Sequence, residues 1–137
     1  MASIVLAHGA WSAAWAWKKM RPLFRAAGHD FFSPTYTGLG ERAHLARPEV
    51  DLSTHIQDVT AVLEFEDLTD VTLLGHSYGG MVATGVADKA RERGIRFTPA
   101  GATPVAGERT VTVAVRVDSD SARAISVRKA IDAVPGR

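Results

Sequence analysis

The 137-residue sequence contains no cysteine, which excludes disulfide bonds, thiolate metal sites, iron–sulfur clusters and a cysteine nucleophile for this chain. It has no marked excess of either charge, since 16 basic and 15 acidic residues leave a formal net charge of +1. That balance predicts neither nucleic acid nor an anionic membrane as a partner. No apolar run approaches the roughly 20 residues that a membrane-spanning helix needs, and the N-terminus lacks the basic region of a signal peptide. We therefore expect a cytoplasmic protein.

The composition is that of a folded domain with its own core. The hydrophobic fraction is 46% and the charged fraction 23%, both near the average for globular proteins. A domain typically takes roughly 100–200 residues, so we predict a single domain over residues 1–137. The composition of the chain changes after Gly94: all five histidines precede that residue, and a Pro/Gly/Ala-rich stretch follows it. We divide it into a core over residues 1–94 and a divergent strand–helix tail over residues 95–137.

Strand and helix patterns alternate along the core. Short apolar runs typical of strands occupy Ser3–Ala7, Asp30–Ser33 and Val71–Gly75. Helical patterns occupy Ala13–Ala27, residues 53–65 and Gly79–Arg93. This order predicts an α/β fold in which a mostly parallel sheet carries helices on both faces.

Several residues mark where these helices begin, bend and end. We expect Ser12 to cap the first helix, Pro22 to divide it into two pieces, and Gly28 to end it in a left-handed conformation. Ser53 is expected to cap the second helix, and the periodicity places Asp58 on its solvent side.

The tail predicts further elements. Residues 95–98 can form a brief strand, Thr110–Val117 alternates as a half-buried strand does, and residues 121–134 fit a final helix. A shortened sheet exposes an edge, and an alternating strand such as Thr110–Val117 invites pairing with a second copy. The expected assembly is a homodimer, formed through that edge or by exchanged elements.

The strongest chemical motif is Gly75-His76-Ser77-Tyr78-Gly79, which fits the pattern G-x-S-x-G. A strand pattern precedes it and a helix pattern follows, as a nucleophile elbow requires. Small residues two positions before and after Ser77 let the strand and helix backbones pass closely. We interpret Ser77 as a nucleophile; the alternative is a structural Gly-Ser turn.

A second motif follows the first strand, at His8-Gly9-Ala10-Trp11. Acyl transfer needs donors aimed at a developing oxyanion, and backbone amides serve because they are preorganised. We predict that the amides of Ala10 and Tyr78 form this oxyanion hole and that Trp11 lines a substrate pocket. On its own, His8-Gly9 is more typical of an ordinary turn, and the elbow on a neighbouring strand is what favours the oxyanion role.

These motifs together resemble the α/β-hydrolase superfamily, and within it the bacterial esterases related to hydroxynitrile lyases and methyl-salicylate esterases. The segments that carry the resemblance are His8–Trp11, Thr37–Arg42, Asp51–Val59 and Gly75–Met81. The likeness covers about residues 3–93. It implies an ester-hydrolysing fold with Ser77 as nucleophile. One local departure is Thr35, where relatives commonly have aspartate.

A serine nucleophile also needs a base and an acid that orients the base. In the resembled superfamily these follow the serine in the order acid, then histidine, whereas no histidine follows Ser77 here. We predict Asp118 as the acid, because it directly follows the Thr110–Val117 strand, with Asp120 as the second choice. The alternative is that both aspartates cap the last helix.

Among the five histidines, His8 is the best candidate for the base because it ends a strand expected beside the elbow. Its alternative role is structural, holding the oxyanion loop. His44 could reach the site from its long loop or from a neighbouring subunit. The side chain of His76 should diverge from Ser77, and His29 and His55 are expected on helix ends or faces.

The function that follows is a serine esterase acting on a small, apolar carboxylic ester. No phosphate loop or metal-ligand spacing is present, so no cofactor and no metal are implied. The alternative is an inactive or truncated hydrolase-like protein that binds a small hydrophobic ligand without turnover. A compact variant with a non-standard base is a third explanation, and lyase chemistry is suggested only by analogy.

Overall fold

The computed structural model describes residues 3–68, 70–93, 96–99 and 110–116. Within those ranges it has five strands and three α-helices. The strands are β1 (Ser3–Ala7), β2 (Asp30–Phe32), β3 (Asp70–His76), β4 (Arg96–Pro99) and β5 (Thr110–Arg116). The helices are α1 (Arg21–Ala26), α2 (Leu52–Phe65) and α3 (Gly79–Glu92), with 3-10 helices at Ala14–Trp17 and Gly40–Leu45. The predicted α/β fold is confirmed.

The strands form one sheet in the order β2-β1-β3-β5-β4, and each neighbouring pair is parallel. Ala7 at the end of β1 lies beside Gly75 near the end of β3. The loops after these two strands therefore leave the same edge of the sheet side by side. This is the edge at which parallel α/β sheets carry their functional sites.

Strand β5 pairs with β3 on one side and with β4 on the other. The expectation that Thr110–Val117 offers a free edge is therefore wrong. Within the described strands the two edges are β2 and β4. The valine alternation of β5 is equally compatible with a central position, because alternation shows which side chains share a face and not how many strands pair with β5.

Apolar residues cover both faces of the sheet, as the alternation of side chains along β1 requires. Val5 and Ala7 belong to a buried cluster that includes Val59 of α2 and Val82 of α3. Residues Ile4 and Leu6 point to the opposite face, where they join a cluster with Trp17, Phe24 and Leu74. Helices α2 and α3 thus lie on one face and α1 on the other, as predicted. None of the described helices is long and apolar enough to cross a membrane.

The helix ends correct two predictions made from the sequence. The first helical region is split, as expected, into a 3-10 turn and α1, with Pro22 in the first turn of α1 where no backbone donor is required. Neither piece has a side-chain cap, so the prediction for Ser12 is wrong. Gly28 has the predicted positive φ, +83°. The cap of α2 is Asp51 rather than Ser53.

The long loop in which His44 was expected contains the 3-10 helix Gly40–Leu45. The predicted brief strand at residues 95–98 is present as β4. The predicted final helix at residues 121–134 lies outside the described residues. The division into a core over 1–94 and a tail over 95–137 stays a prediction.

Candidate active site

Ser77 lies at a sharp turn between β3 and α3, with φ at +54° and its side chain exposed. A Cβ atom on Gly75 would be 2.8 Å from the carbonyl oxygen of Gly79, and one on Gly79 would collide with the carbonyl oxygen of Ala7. Only glycine fits at these two positions. The backbones of β3 and α3 therefore pass as closely as the motif predicted, and the end of β1 packs against Gly79. The turn presents the Ser77 hydroxyl to solvent beside the N-terminus of α3, whose partial positive charge favours developing negative charge.

The loop after β1 lies directly against this turn. A Cβ on Gly9 would be 2.9 Å from Nδ1 of His76 and 3.4 Å from its carbonyl oxygen. The two segments predicted to supply the oxyanion donors are therefore neighbours. This contact between Gly9 and His76 also requires a residue without a side chain at position 9.

Both candidate donor amides belong to peptides whose carbonyl group is already held. His8 Nδ1–H donates to the carbonyl of Gly9 at 2.8 Å, and the amide of Gly80 donates to the carbonyl of Ser77 at 2.8 Å. In a trans peptide the N–H points opposite to the C=O. The amides of Ala10 and Tyr78 therefore point away from these partners, and neither amide donates a hydrogen bond within the described residues. The loop after β1 and the turn at Ser77 thus each contain a backbone amide with no hydrogen-bond partner among the described residues.

His8 is completely buried and both of its ring nitrogens have partners. Because a carbonyl can only accept, Nδ1 carries the proton that goes to Gly9, and Nε2 accepts from the amide of Tyr36 at 3.2 Å. Burial lowers the pKa of His8, which favours this neutral form. These contacts correct the interpretation of His8 as the general base and fit its alternative role of holding the oxyanion loop.

A series of four aromatic rings connects the loop after β1 with the turn at Ser77: His8, Tyr36, His55 and Tyr78. Tyr36 is buried and stacks on His8 at 3.7 Å and on His55 at 4.9 Å, and its hydroxyl donates to the carbonyl of His8 at 2.7 Å. The hydroxyl of Tyr78 lies 2.8 Å from Nδ1 of His55. Tyr36 was not identified from the sequence, because its two partners are 28 and 19 positions away along the chain.

Asp58 of α2 corrects another prediction. It was expected on the solvent side, but its side chain is only 12% exposed. Its carboxylate accepts from the amide of Thr37 at 2.6 Å and from the hydroxyl of Thr37 at 2.8 Å, and it forms an ion pair with Arg42 at 3.5 Å. The position of Asp58 three residues after His55, on the same helix face, was the only sequence signal for this cluster.

Thr35, the local departure from the resembled family, joins two segments near the site. Its hydroxyl donates to the carboxylate of Glu41 at 2.7 Å and accepts from the amide of Ala14 at 3.0 Å. The hydrogen bond from Thr35 lowers the pKa of Glu41. Thr35 is therefore a structural link between the 3-10 turn after the oxyanion loop and the 3-10 turn before α2.

The remaining candidates are less closely connected to Ser77. Trp11 has φ at +57° and is 94% exposed, so pocket lining by this residue stays a prediction. His44 is exposed in the 3-10 helix Gly40–Leu45. Asp118 and Asp120 lie outside the described residues. Among the residues that are described, no group of three acidic or histidine side chains is placed to hold a metal.

Comparisons with known proteins agree with this geometry. A model of the alpha/beta hydrolase family matches residues 4–136. The carbendazim hydrolyzing esterase of Nocardioides sp. (strain SG-4G) is 54% identical over 89 residues, which are 65% of this chain and 37% of that protein. The polyneuridine aldehyde esterase of Rauvolfia serpentina is 35% identical over 83 residues, which are 56% of this chain and 30% of that protein.

A solved structure shows the same similarity. An extracellular alpha/beta-hydrolase from a Paenibacillus species, described as homologous in structure and function to Tobacco Salicylic Acid Binding Protein 2, aligns with a TM-score of 0.61 and 28% identity. The alignment covers 77% of this chain and 43% of that one. The chain thus spans 30–37% of the length of the two curated relatives above.

Proposed function

The chain belongs to the alpha/beta hydrolase family, and we propose that it acts as a serine esterase on small, apolar carboxylic esters through an acyl-enzyme at Ser77. The observation that carries this proposal is the backbone of Ser77, exposed with φ at +54° between a buried strand and a helix. A strained residue persists where the surrounding structure enforces it, and such strain is typical of active sites. The names of the two curated relatives, both esterases, support the same reaction class.

In the proposed reaction, Ser77 Oγ attacks the ester carbonyl carbon while its proton passes to a general base. The carbonyl electrons move onto oxygen, and the amides of Ala10 and Tyr78 donate to that oxyanion. Collapse of the intermediate breaks the ester bond, and the alcohol leaves with the proton. Water then hydrolyses the acyl-enzyme to a carboxylic acid and restores Ser77. Asp118 remains the proposed acid that orients the base, and Trp11 the proposed pocket wall.

A second candidate function is binding of a small hydrophobic ligand without turnover. It is favoured by the contacts of His8, whose two ring nitrogens are both engaged inside the protein. Without a base, a serine hydroxyl is a weak nucleophile.

The test is hydrolysis of a short-chain nitrophenyl ester by the wild type, Ser77→Ala and the matched control Ser53→Ala. We expect Ser77→Ala to lower kcat by about a thousandfold or more and Ser53→Ala, at an exposed site on α2, to leave it unchanged. Equal product release by the wild type and Ser77→Ala would defeat the esterase proposal.

Covalent labelling separates the two candidate functions. An activated Ser77 should react rapidly with an organophosphonate, and mass spectrometry of the digested protein should locate the adduct on residue 77. Saturable binding of the ester, without labelling and without product, is the result expected for the ligand-binding alternative.

A further inference from the structure

The side chain of Tyr78 forms a hydrogen bond with His55 of α2, outside its own turn and helix. The distance from His55 Nδ1 to the Tyr78 hydroxyl is 2.8 Å, and the two rings are perpendicular at 5.8 Å. The other ring nitrogen, Nε2, lies 3.0 Å from the carbonyl of Thr37. Because that carbonyl only accepts, Nε2 carries the proton, and Nδ1 of the neutral ring accepts from Tyr78.

Thr37, whose carbonyl orients His55, is itself held in place by Asp58. The carboxylate of Asp58 accepts from both the amide and the hydroxyl of Thr37, at 2.6 and 2.8 Å. Tyr36 stacks on the imidazole, with the ring centroids 4.9 Å apart. Thr37 and Tyr36 therefore fix the ring of His55 in position, and Thr37 fixes its tautomer, before the ring meets Tyr78.

Tyr78 is the residue that contributes one of the two oxyanion amides. Its carbonyl accepts from Met81 at 3.0 Å, which ties it to the first turn of α3. The side chain, half-buried, extends towards α2 and ends on His55. Anchoring at both the carbonyl and the hydroxyl restricts movement of the Tyr78 backbone, and with it the direction of its amide.

We propose that His55, oriented by Thr37 and Asp58, is a positioning residue that holds Tyr78 so that its amide meets the oxyanion. This inference rests on the proposed esterase function. A donor that strengthens its bond only in the transition state contributes to kcat rather than to substrate binding. Loss of the His55–Tyr78 bond should therefore lower kcat and leave KM nearly unchanged.

Two substitutions test the roles of the two ring nitrogens of His55 one at a time. In His55→Asn the amide oxygen can occupy the place of Nδ1 and accept from Tyr78. In His55→Gln the amide nitrogen can occupy the place of Nε2 and donate to Thr37, but the acceptor for Tyr78 is lost. We expect His55→Gln to lower kcat about tenfold, which is a fraction of the loss seen when an oxyanion donor is removed. His55→Asn should retain most of the wild-type kcat. Ser53→Ala, at an exposed position of the same helix, is the matched control and should behave as the wild type.

Tyr78→Phe removes the same bond from the other side without emptying the space of the ring. We expect it to lower kcat by a similar factor, and the double variant with His55→Gln to be no more than about twofold slower than either alone, because both remove one interaction. Circular dichroism and the melting temperature establish that each variant is folded.

The outcomes are distinguishable. If the wild type releases product no faster than Ser77→Ala, the esterase function fails and this inference fails with it. If Ser77 is required but His55→Asn and His55→Gln have equal kcat, or Tyr78→Phe matches the wild type, only the positioning role is overturned. Multiplicative losses in the double variant would also overturn it.

Discussion

Ser77 has a backbone conformation that L-amino acids rarely adopt. Its φ of +54° places Cβ close to the following carbonyl, which disfavours every residue except glycine. The hydroxyl is the reason, on the proposed function, to retain serine at this point. Stability and chemistry are therefore opposed at this residue.

Replacement of Ser77 by glycine should reveal that opposition. We expect Ser77→Gly to have a free energy of unfolding about 1 kcal/mol higher than Ser77→Ala, because glycine accepts positive φ without strain. Both variants lack the hydroxyl, so alanine is the matched control. Chemical denaturation at one temperature measures the difference, and equal stabilities would contradict the strain seen in the backbone.

His8 predicts a pH dependence of stability. Burial is the largest cause of its lowered pKa, so the folded protein binds this proton less readily than the unfolded chain, whose histidine has a pKa near 6.5. The unfolded state takes up the proton first as the pH falls. The stability contributed by neutral His8 is therefore complete above the unfolded-state pKa and is lost as the pH falls from there through the folded-state pKa.

The measurement is the free energy of unfolding between about pH 8 and pH 5. His8→Asn should show a shallower decrease over this range than the wild type, while Ser53→Ala, which removes no titratable group, should retain the wild-type slope. An unchanged slope in His8→Asn would mean that another group causes the dependence.

At the scale of elements, α2 is the helix that connects the site to the fold. It begins with a capping box in which Asp51 accepts from the amide of Thr54 at 3.0 Å and the hydroxyl of Thr54 accepts from the amide of Asp51 at 3.2 Å. One turn further on, the same helix presents His55 and Asp58 to the site. The sequence predicts Ser53 as the cap, since serine and aspartate are both favoured there and the two residues are only two positions apart.

Asp51→Ala should destabilise the protein and Ser53→Ala should not, with thermal unfolding as the measurement. The hydrogen bond from the amide of Thr54 lowers the pKa of Asp51, so its contribution is present above its ordinary pKa and lost as the pH falls through the lower folded-state value. The gap between wild type and Asp51→Ala should therefore narrow in acid. Equal melting temperatures for Asp51→Ala and Ser53→Ala would contradict this assignment of the cap.

At the scale of the whole molecule, the sheet brings the functional loops together. Ala7 and Gly75 are neighbours in register, so the segments that follow them meet at one edge. A shift of this register would separate Ala10 from Tyr78. The parallel order of the strands thus creates the candidate site, whereas each motif alone is compatible with an ordinary turn.

The homodimer stays a prediction, formed by exchanged elements or through a sheet edge. Because β5 is paired on both sides, the edges of the described sheet are β2 and β4. We expect sedimentation equilibrium to show a mass that rises with concentration towards twice that of the chain. A monomer mass at every concentration would contradict the prediction.

The sequence by itself determined the elbow and the parallel α/β order. Glycines flanking Ser77, a preceding apolar run and a following helical period are local signals, and local sterics and side-chain periodicity are enough to interpret them. The tertiary structure alone decided which partners those elements have. Tyr36 between His8 and His55, Asp58 clamping Thr37, and β5 inside the sheet all join residues far apart in the chain. Periodicity reports that a side chain faces inward, but only packing determines what it meets there.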